Sequence, residues 1–336
     1  MLNRRSSALV PAFLLLTGVL AACGSKGPVA EAGQEMVAPA EQRLIALTNL
    51  DQRVARVGYR LSTANAELCP AVRNSPGWLL HAASQYSPEL RPYAETRFGL
   101  DGDLPGLLAV PEGSAADLAG LRRGDLLLSV NGEALTRGVA RRTAAFEGVE
   151  ANIHKLDLAL AAGPIEIAFR RDGNDQTARV TPQRACGYDV QLDPSDELNA
   201  RADGKRLFIT TAMAGFTATD DELALVLGHE LAHHVLGHRG WHEAETRGRQ
   251  TQTVPALAAT AGGSERQADR VGLYLAARAG FDSSIGPAFW RRFGAFDWRV
   301  RYPQWGHPSA EARARALEEV QAEISARRAS RQPLVP

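Results

Sequence analysis

Asp220-Asp221-Glu222-Leu223-Ala224-Leu225-Val226-Leu227-Gly228-His229-Glu230-Leu231-Ala232-His233-His234 sets the pattern His-Glu-x-x-His inside an apolar run of helical period. On an α-helix, residues at i and i+4 share one face, with Cβ atoms about 5–6 Å apart. His229 and His233 can therefore converge on one ion. Zinc accepts histidine nitrogens at about 2.0–2.1 Å, and a catalytic zinc has three protein ligands and a water. Glu230, beside the first histidine, is then placed as the general base of the motif. Leu223, Val226, Leu227 and Leu231 recur at helical spacing, and Thr219 or Asp220 can cap the first turn. A core helix with two incidental histidines would read the same way, so a third ligand has to separate the two cases.

Metzincins need Gly and His at fixed offsets after the second histidine, where this chain has Leu236 and Arg239. Downstream, Gly263-Ser264-Glu265-Arg266-Gln267-Ala268-Asp269 opens a second apolar helix over 271–279. Glu265 and Asp269 are again at i and i+4. Glu265 reads as the third ligand of one Zn²⁺ per chain, and Asp269 as the group behind it that orients a ligating imidazole through its other nitrogen. The competing use of Glu265 is to stabilise the N-terminus of its own helix.

The order of motifs carries a resemblance. His229 to His233, then Glu265 to Asp269, preceded by Leu198-Asn199-Ala200-Arg201-Ala202-Asp203-Gly204 and followed by His307-Pro308-Ser309, is similar to the gluzincin zinc metallopeptidases of the HtpX and CAAX-prenyl-protease family. Among these it looks most like the periplasmic lipoproteins of BepA type, over 192–316. The resemblance implies an α+β chain: a mainly helical zincin-like peptidase domain with a small active-site sheet. It implies that a strand over 205–211 forms the active-site edge, where main-chain hydrogen bonds hold an extended substrate. It also implies that His307, a catalytic-site residue, is a candidate fourth ligand of the zinc and a switch, and that Arg313 is a weaker candidate for stabilising an oxyanion. A plain helix-entry role for His307 has equal weight. His234, His238 and His242 fall off the ligand face or beyond it, and read as surface or structural residues. Membrane-embedded relatives have several spanning helices, and none is visible here after the N-terminus, so prenyl-protein processing is not implied.

A second unit is read over 97–181. Gly113-Ser114-Ala115-Ala116-Asp117-Leu118 and Gly124-Asp125-Leu126-Leu127-Leu128-Ser129-Val130-Asn131-Gly132 resemble the core of a PDZ domain: short helix, Gly-Asp turn, strand, Asn-Gly turn. Asn-Gly tolerates the positive φ of a tight hairpin, and Leu126, Leu128 and Val130 alternate as in a half-buried strand. Phe98-Gly99-Leu100 resembles the loop that holds a peptide carboxylate in that family. The region 135–161 is long and helix-forming, a departure from the pattern that leaves a peptide groove or a mere bracing domain both open.

At the start, Arg4 and Arg5, the apolar run 8–20 and the small residues Ala21 and Ala22 read as a secretory signal over 1–22. Leu20-Ala21-Ala22-Cys23 resembles the bacterial lipobox, which implies lipidation of Cys23, a flexible tether over 23–40, and a place in the periplasm on the inner leaflet of the outer membrane. A soluble periplasmic protein with a coincidental Cys23 is the alternative. Helical spacing of Leu44, Leu47, Val54, Val57 and Leu61 makes 41–96 the N-terminal helical part of the peptidase domain, which resumes over 182–330. The 78–93 stretch, with Pro88 and Pro92, reads as a connector.

The 336 residues hold 38 basic and 38 acidic side chains and are 45% hydrophobic, enough for two buried cores and without the charge excess that draws nucleic acid. With Cys23 acylated, Cys69 and Cys186 remain as a pair, either bonded in an oxidising compartment or as two buried thiols. The function expected is a lipid-anchored endopeptidase acting on protein or peptide substrates, misfolded envelope proteins above all. The rivals are a chaperone-like protein and a PDZ-led scaffold with secondary hydrolytic activity.

Overall fold

The computed structural model describes residues 39–138, 143–238, 254–303 and 307–336. The signal read over 1–22, Cys23, the tether up to residue 38, and His242 lie outside them. Helix α1 (Ala40–Ala64) follows the expected period. Val54, Val57 and Leu61 enter one core and Leu44 a second, so this helix is shared between the two.

After α1 the chain passes Cys69 and forms β1 (Val72–Ser75), then β2 (Leu79–His81), α2 (Arg91–Phe98), β3 (Gly106–Ala109), α3 (Ala115–Leu118), β4 (Leu126–Val130), β5 (Glu133–Ala134), α4 (Glu147–Ala162), β6 (Ile165–Arg171) and β7 (Asn174–Val180). The main sheet has the order β2-β3-β4-β6-β7, and β5 pairs with β4. Leu107, Leu127, Ile165 and Ile167 fill its buried face. Strand β8 (Gln183–Cys186) returns antiparallel to β1, and a disulfide joins Cys69 to Cys186 beside that ribbon.

Two expectations change here. The sheet unit begins at Leu79 rather than at Arg97: β2 is its edge strand, and Ala83, Ala94 and Phe98 belong to its core. The backbone groups of β3 need a partner, and the three-residue β2 supplies one. Phe98-Gly99-Leu100 is the end of a helix rather than an open loop. Gly99 takes φ 63° as its C-cap, and Phe98 and Leu100 are buried in the core.

The remaining chain forms β9 (Asp189–Asp193), β10 (Ala200–Ala202), β11 (Arg206–Thr210), α5 (Thr211–Phe216), α6 (Asp220–Val235), α7 (Val254–Arg278), α8 (Gly286–Phe296), α9 (Trp298–Arg301) and α10 (Ala310–Ala329). The small sheet has the order β10-β11-β9. β11, the strand expected at the active-site edge, is thus central, antiparallel to β10 and parallel to β9. The edge on the α6 side is β10. The second helix begins at Val254, well before the apolar period over 271–279 that revealed it. Alanine-rich sequence favours helix there, and Pro255 sits in the first turn, where its missing N–H costs nothing. The whole is an α+β fold. Among the described residues no helix is long and apolar enough to cross a membrane.

Candidate metal centre

Helix α6 starts where its sequence dictates. The Thr219 hydroxyl accepts from the Glu222 N–H at 3.3 Å, and three acidic residues occupy the first turn, favourable at the positive end of the helix dipole. Arg53 of α1 holds Asp220 at 2.9 Å, and Arg292 holds Glu222 at 2.6 Å. One face, with Leu223, Leu227 and Leu231, is buried in the first core.

Two glycines bring α6 against α7. A Cβ on Gly228 would stand 2.7 Å from the Gly272 carbonyl oxygen, and one on Gly272 would stand 2.7 Å from the His229 nitrogen. Backbone meets backbone at this crossing, so any side chain would separate the helices. Asp269 and Glu265 precede Gly272 by three and seven residues, on the same face of α7, and therefore confront the histidines of α6.

The result is a cluster of His229, His233 and Glu265 able to hold a metal ion. His229 Nε2 lies 3.1 Å from His233 Nε2 and 3.3 Å from Glu265 Oε2, and His233 Nε2 is 3.4 Å from Glu265 Oε1. Donors around a tetrahedral ion at the usual bond lengths stand roughly 3.3–3.5 Å apart. At 3.1–3.4 Å the three donors stand close to that spacing.

Behind the donors, His229 Nδ1 is 3.0 Å from Asp269 Oδ1, and Arg313 of α10 forks onto the same carboxylate, Nε to Oδ2 at 2.7 Å. The Arg313 guanidinium stacks on Trp290, 3.5 Å from its ring centroid. Burial alone would pull His229 down, but its hydrogen bonds to Asp269 and Glu265 raise it to about 10. Burial together with the neighbouring cationic charges lowers His233 to about 3, which keeps the ring neutral with one nitrogen lone pair free. Burial likewise pushes the Glu230 carboxyl above its ordinary range.

A cavity of about 170 Å³ opens onto this cluster. Glu230 and His307 line it beside the donors, Asn199 and Ala200 at the β10 edge form one side, and Leu225, Phe289, Phe293 and Val300 give it an apolar wall. His307 Nδ1 lies 3.3 Å from Glu265 Oε2, and its side chain is 62% exposed. It touches the third donor rather than joining the cluster. Arg313 forks onto Asp269 behind the histidine and also lines the cavity, its Nη2 3.8 Å from Glu265 Oε2. His234 is buried and stacks on Tyr188 with centroids 4.0 Å apart. His238, read as a surface or structural residue, is buried and hydrogen-bonded to His233.

Residues 176–260 match the model of Peptidase family M48. That match takes in His229, Glu230 and His233, and ends before Glu265, Asp269 and His307. Residues 107–143 match a PDZ domain model. Together the M48 and PDZ matches support a metallopeptidase that carries a PDZ domain. Among solved structures, the crystal structure of the HtrA3 PDZ domain bound to a phage-derived ligand (FGRWV) is similar at 17% identity and a TM-score of 0.25, covering 34% of this chain and 88% of that one. No curated protein matches the chain.

Proposed function

We propose that this chain is a zinc-dependent endopeptidase. The observation that carries the reading is the convergence of three donors from two helices at tetrahedral spacing, with a buried carboxylate, Glu230, beside them in an open cavity. A zinc ion held by His229, His233 and Glu265 would supply Lewis-acid polarisation of a peptide carbonyl and a water acidified toward pKa about 7. Glu230 takes the proton of the attacking water and returns it to the leaving amine, and its raised pKa suits it to hold that proton between the two transfers. Asp269, itself held by Arg313, keeps the His229 ring in the orientation its Nε2 requires. The β10 edge aligns an extended substrate backbone, and the apolar wall receives a large aliphatic or aromatic side chain next to the scissile bond.

The substrates proposed are misfolded or misassembled envelope proteins, with the PDZ-like unit selecting among them. The reading also places the protein in the periplasm, held by lipid on Cys23 at the outer membrane. The lipobox-like Leu20-Ala21-Ala22-Cys23 supports that place, and so does the Cys69–Cys186 bond, which persists in oxidising compartments.

The test is zinc content and casein cleavage in purified wild type and Glu230→Gln. The variant is expected to keep its zinc and lose about 10²–10⁴-fold in rate. Cleavage at the wild-type rate would remove Glu230 from the mechanism.

A further inference from the structure

We propose that His238 is a positioning residue of the metal centre, fixing the ring of His233 through a relay that ends on Gln267. The proposal rests on the metallopeptidase reading above. Gly237 adopts φ 67° just beyond α6 and donates its N–H to the His234 carbonyl at 3.1 Å, so the chain folds back under the last turn. His238 is thereby buried at 6% exposure against its own helix. Its Nδ1 lies 3.0 Å from His233 Nδ1, and its Nε2 lies 3.2 Å from Gln267 Oε1.

With a metal ligated, the proton positions along this chain follow. His233 Nε2 faces His229 and Glu265, so a ligating His233 keeps its lone pair there and its one proton on Nδ1. Of two facing ring nitrogens one donates and the other accepts. His233 Nδ1–H therefore donates to His238 Nδ1, and the proton of His238 stays on Nε2, where it donates to the Gln267 carbonyl oxygen. Gln267 lies on α7 between Glu265 and Asp269, so the relay ties the end of one metal helix to the other.

Each ligating imidazole then has an orienting partner: Asp269 for His229 and His238 for His233. The partners differ in charge for a reason. The charge of Asp269 is matched by Arg313, whereas His233 meets the ring of His238. A neutral acceptor there orients the ring without adding an unmatched buried charge.

The experiment uses the full chain, loaded and stripped of zinc. Zinc affinity is measured by chelator competition, and ligand geometry from the visible absorption of the cobalt(II) form. Three variants are compared: His238→Phe, which keeps a ring but no acceptor; His238→Asn, whose amide oxygen can stand where Nδ1 stood; and Gln267→Met, at an exposed position where the fold is not at risk. His238→Phe is expected to lose about 10–100-fold in zinc affinity and to alter the cobalt spectrum. His238→Asn should recover most of both, and Gln267→Met should lose several-fold with an unchanged urea midpoint. Wild-type affinity in both His238→Phe and Gln267→Met overturns the relay and leaves the metallopeptidase reading standing, and so does an equal loss in the Phe and Asn variants. A wild-type protein that takes up no zinc overturns both readings. If His238→Phe does not fold, Gln267→Met decides alone, and wild-type affinity in it counts against the relay.

Discussion

Asp51 shows what a single half-buried carboxyl costs this fold. It lies on the side of α1 toward Tyr86, and burial raises its pKa from 3.8 to about 7. The folded protein therefore holds a proton that the unfolded chain releases. The contribution to stability is fully present below pH 3.8 and is lost as pH rises through about 7. Asp51→Asn removes that dependence, so the variant should gain on wild type by something on the order of 2–4 kcal/mol between pH 4 and pH 8. Urea unfolding at the two pH values checks it, and parallel behaviour of the two proteins would refute it. Residues of this kind mark the limit of a sequence reading. His229 with His233, and Glu265 with Asp269, were legible because helical spacing joins each pair, and Glu230 because it stands beside the first histidine of the motif. The duties of Arg313 and His238 were not, since the first comes from a helix more than forty residues beyond its partner Asp269 and the second depends on how the chain turns at Gly237.

Between elements, the decisive contact is the crossing of α6 and α7. Neither Gly228 nor Gly272 belongs to a recognised motif, and a glycine within a helix ordinarily signals only weakened helix. The crossing explains both, because it needs two surfaces without side chains. Competing magnitudes give the outcome of filling one. Gly272→Ala gains up to about 1 kcal/mol in helix propensity but drives a methyl against backbone that no rotamer change can clear, an overpacking cost of about 1–3 kcal/mol. The clash wins. Gly272→Ala should lower the urea midpoint and weaken zinc binding at least several-fold, because the carboxylate helix is pushed off the histidine helix. Gly263→Ala, in the same helix with nothing within 4 Å of the added methyl, should instead be neutral or stabilising. Equal effects from the two substitutions would remove the crossing as the cause. Among strands, β4 and β6 could be read from alternation and turn residues, whereas β2 and β10 are only three residues long and have no period to read. What makes each a strand is the unpaired edge beside it, a property of the assembled sheet.

At the scale of the whole molecule, the chain enters and leaves the sheet unit through the passage formed by β1 and β8, and α1, shared by both cores, is a second link. β1 and β8 pair from Val72↔Cys186 to Ser75↔Gln183, and the disulfide to Cys69 lies at the peptidase end of that ribbon. Tyr59 of α1 hydrogen-bonds Gln183 at 2.5 Å, and Arg73 pairs with Asp189 across the junction. The bond therefore clamps the passage at its base. The cysteines are 117 residues apart, a loop whose closure in the unfolded chain is worth at most about 4–5 kcal/mol by the chain-entropy model. The loop contains a sheet unit with a core of its own, whose residual structure when unfolded should reduce the gain to about 2–4 kcal/mol. Replacing both cysteines by serine should lower the unfolding free energy read from urea denaturation by that much. Zinc affinity should not follow, because the donors and their supports lie from His229 to Arg313, outside the clamped loop, and are held together by the glycine crossing and the Asp269–Arg313 pair. The serine variant should also be cut more readily by trypsin near the ribbon while retaining casein cleavage. Loss of zinc in that variant would show instead that the passage is a strut of the metal centre, and that the sheet unit can act on the cleavage site through it.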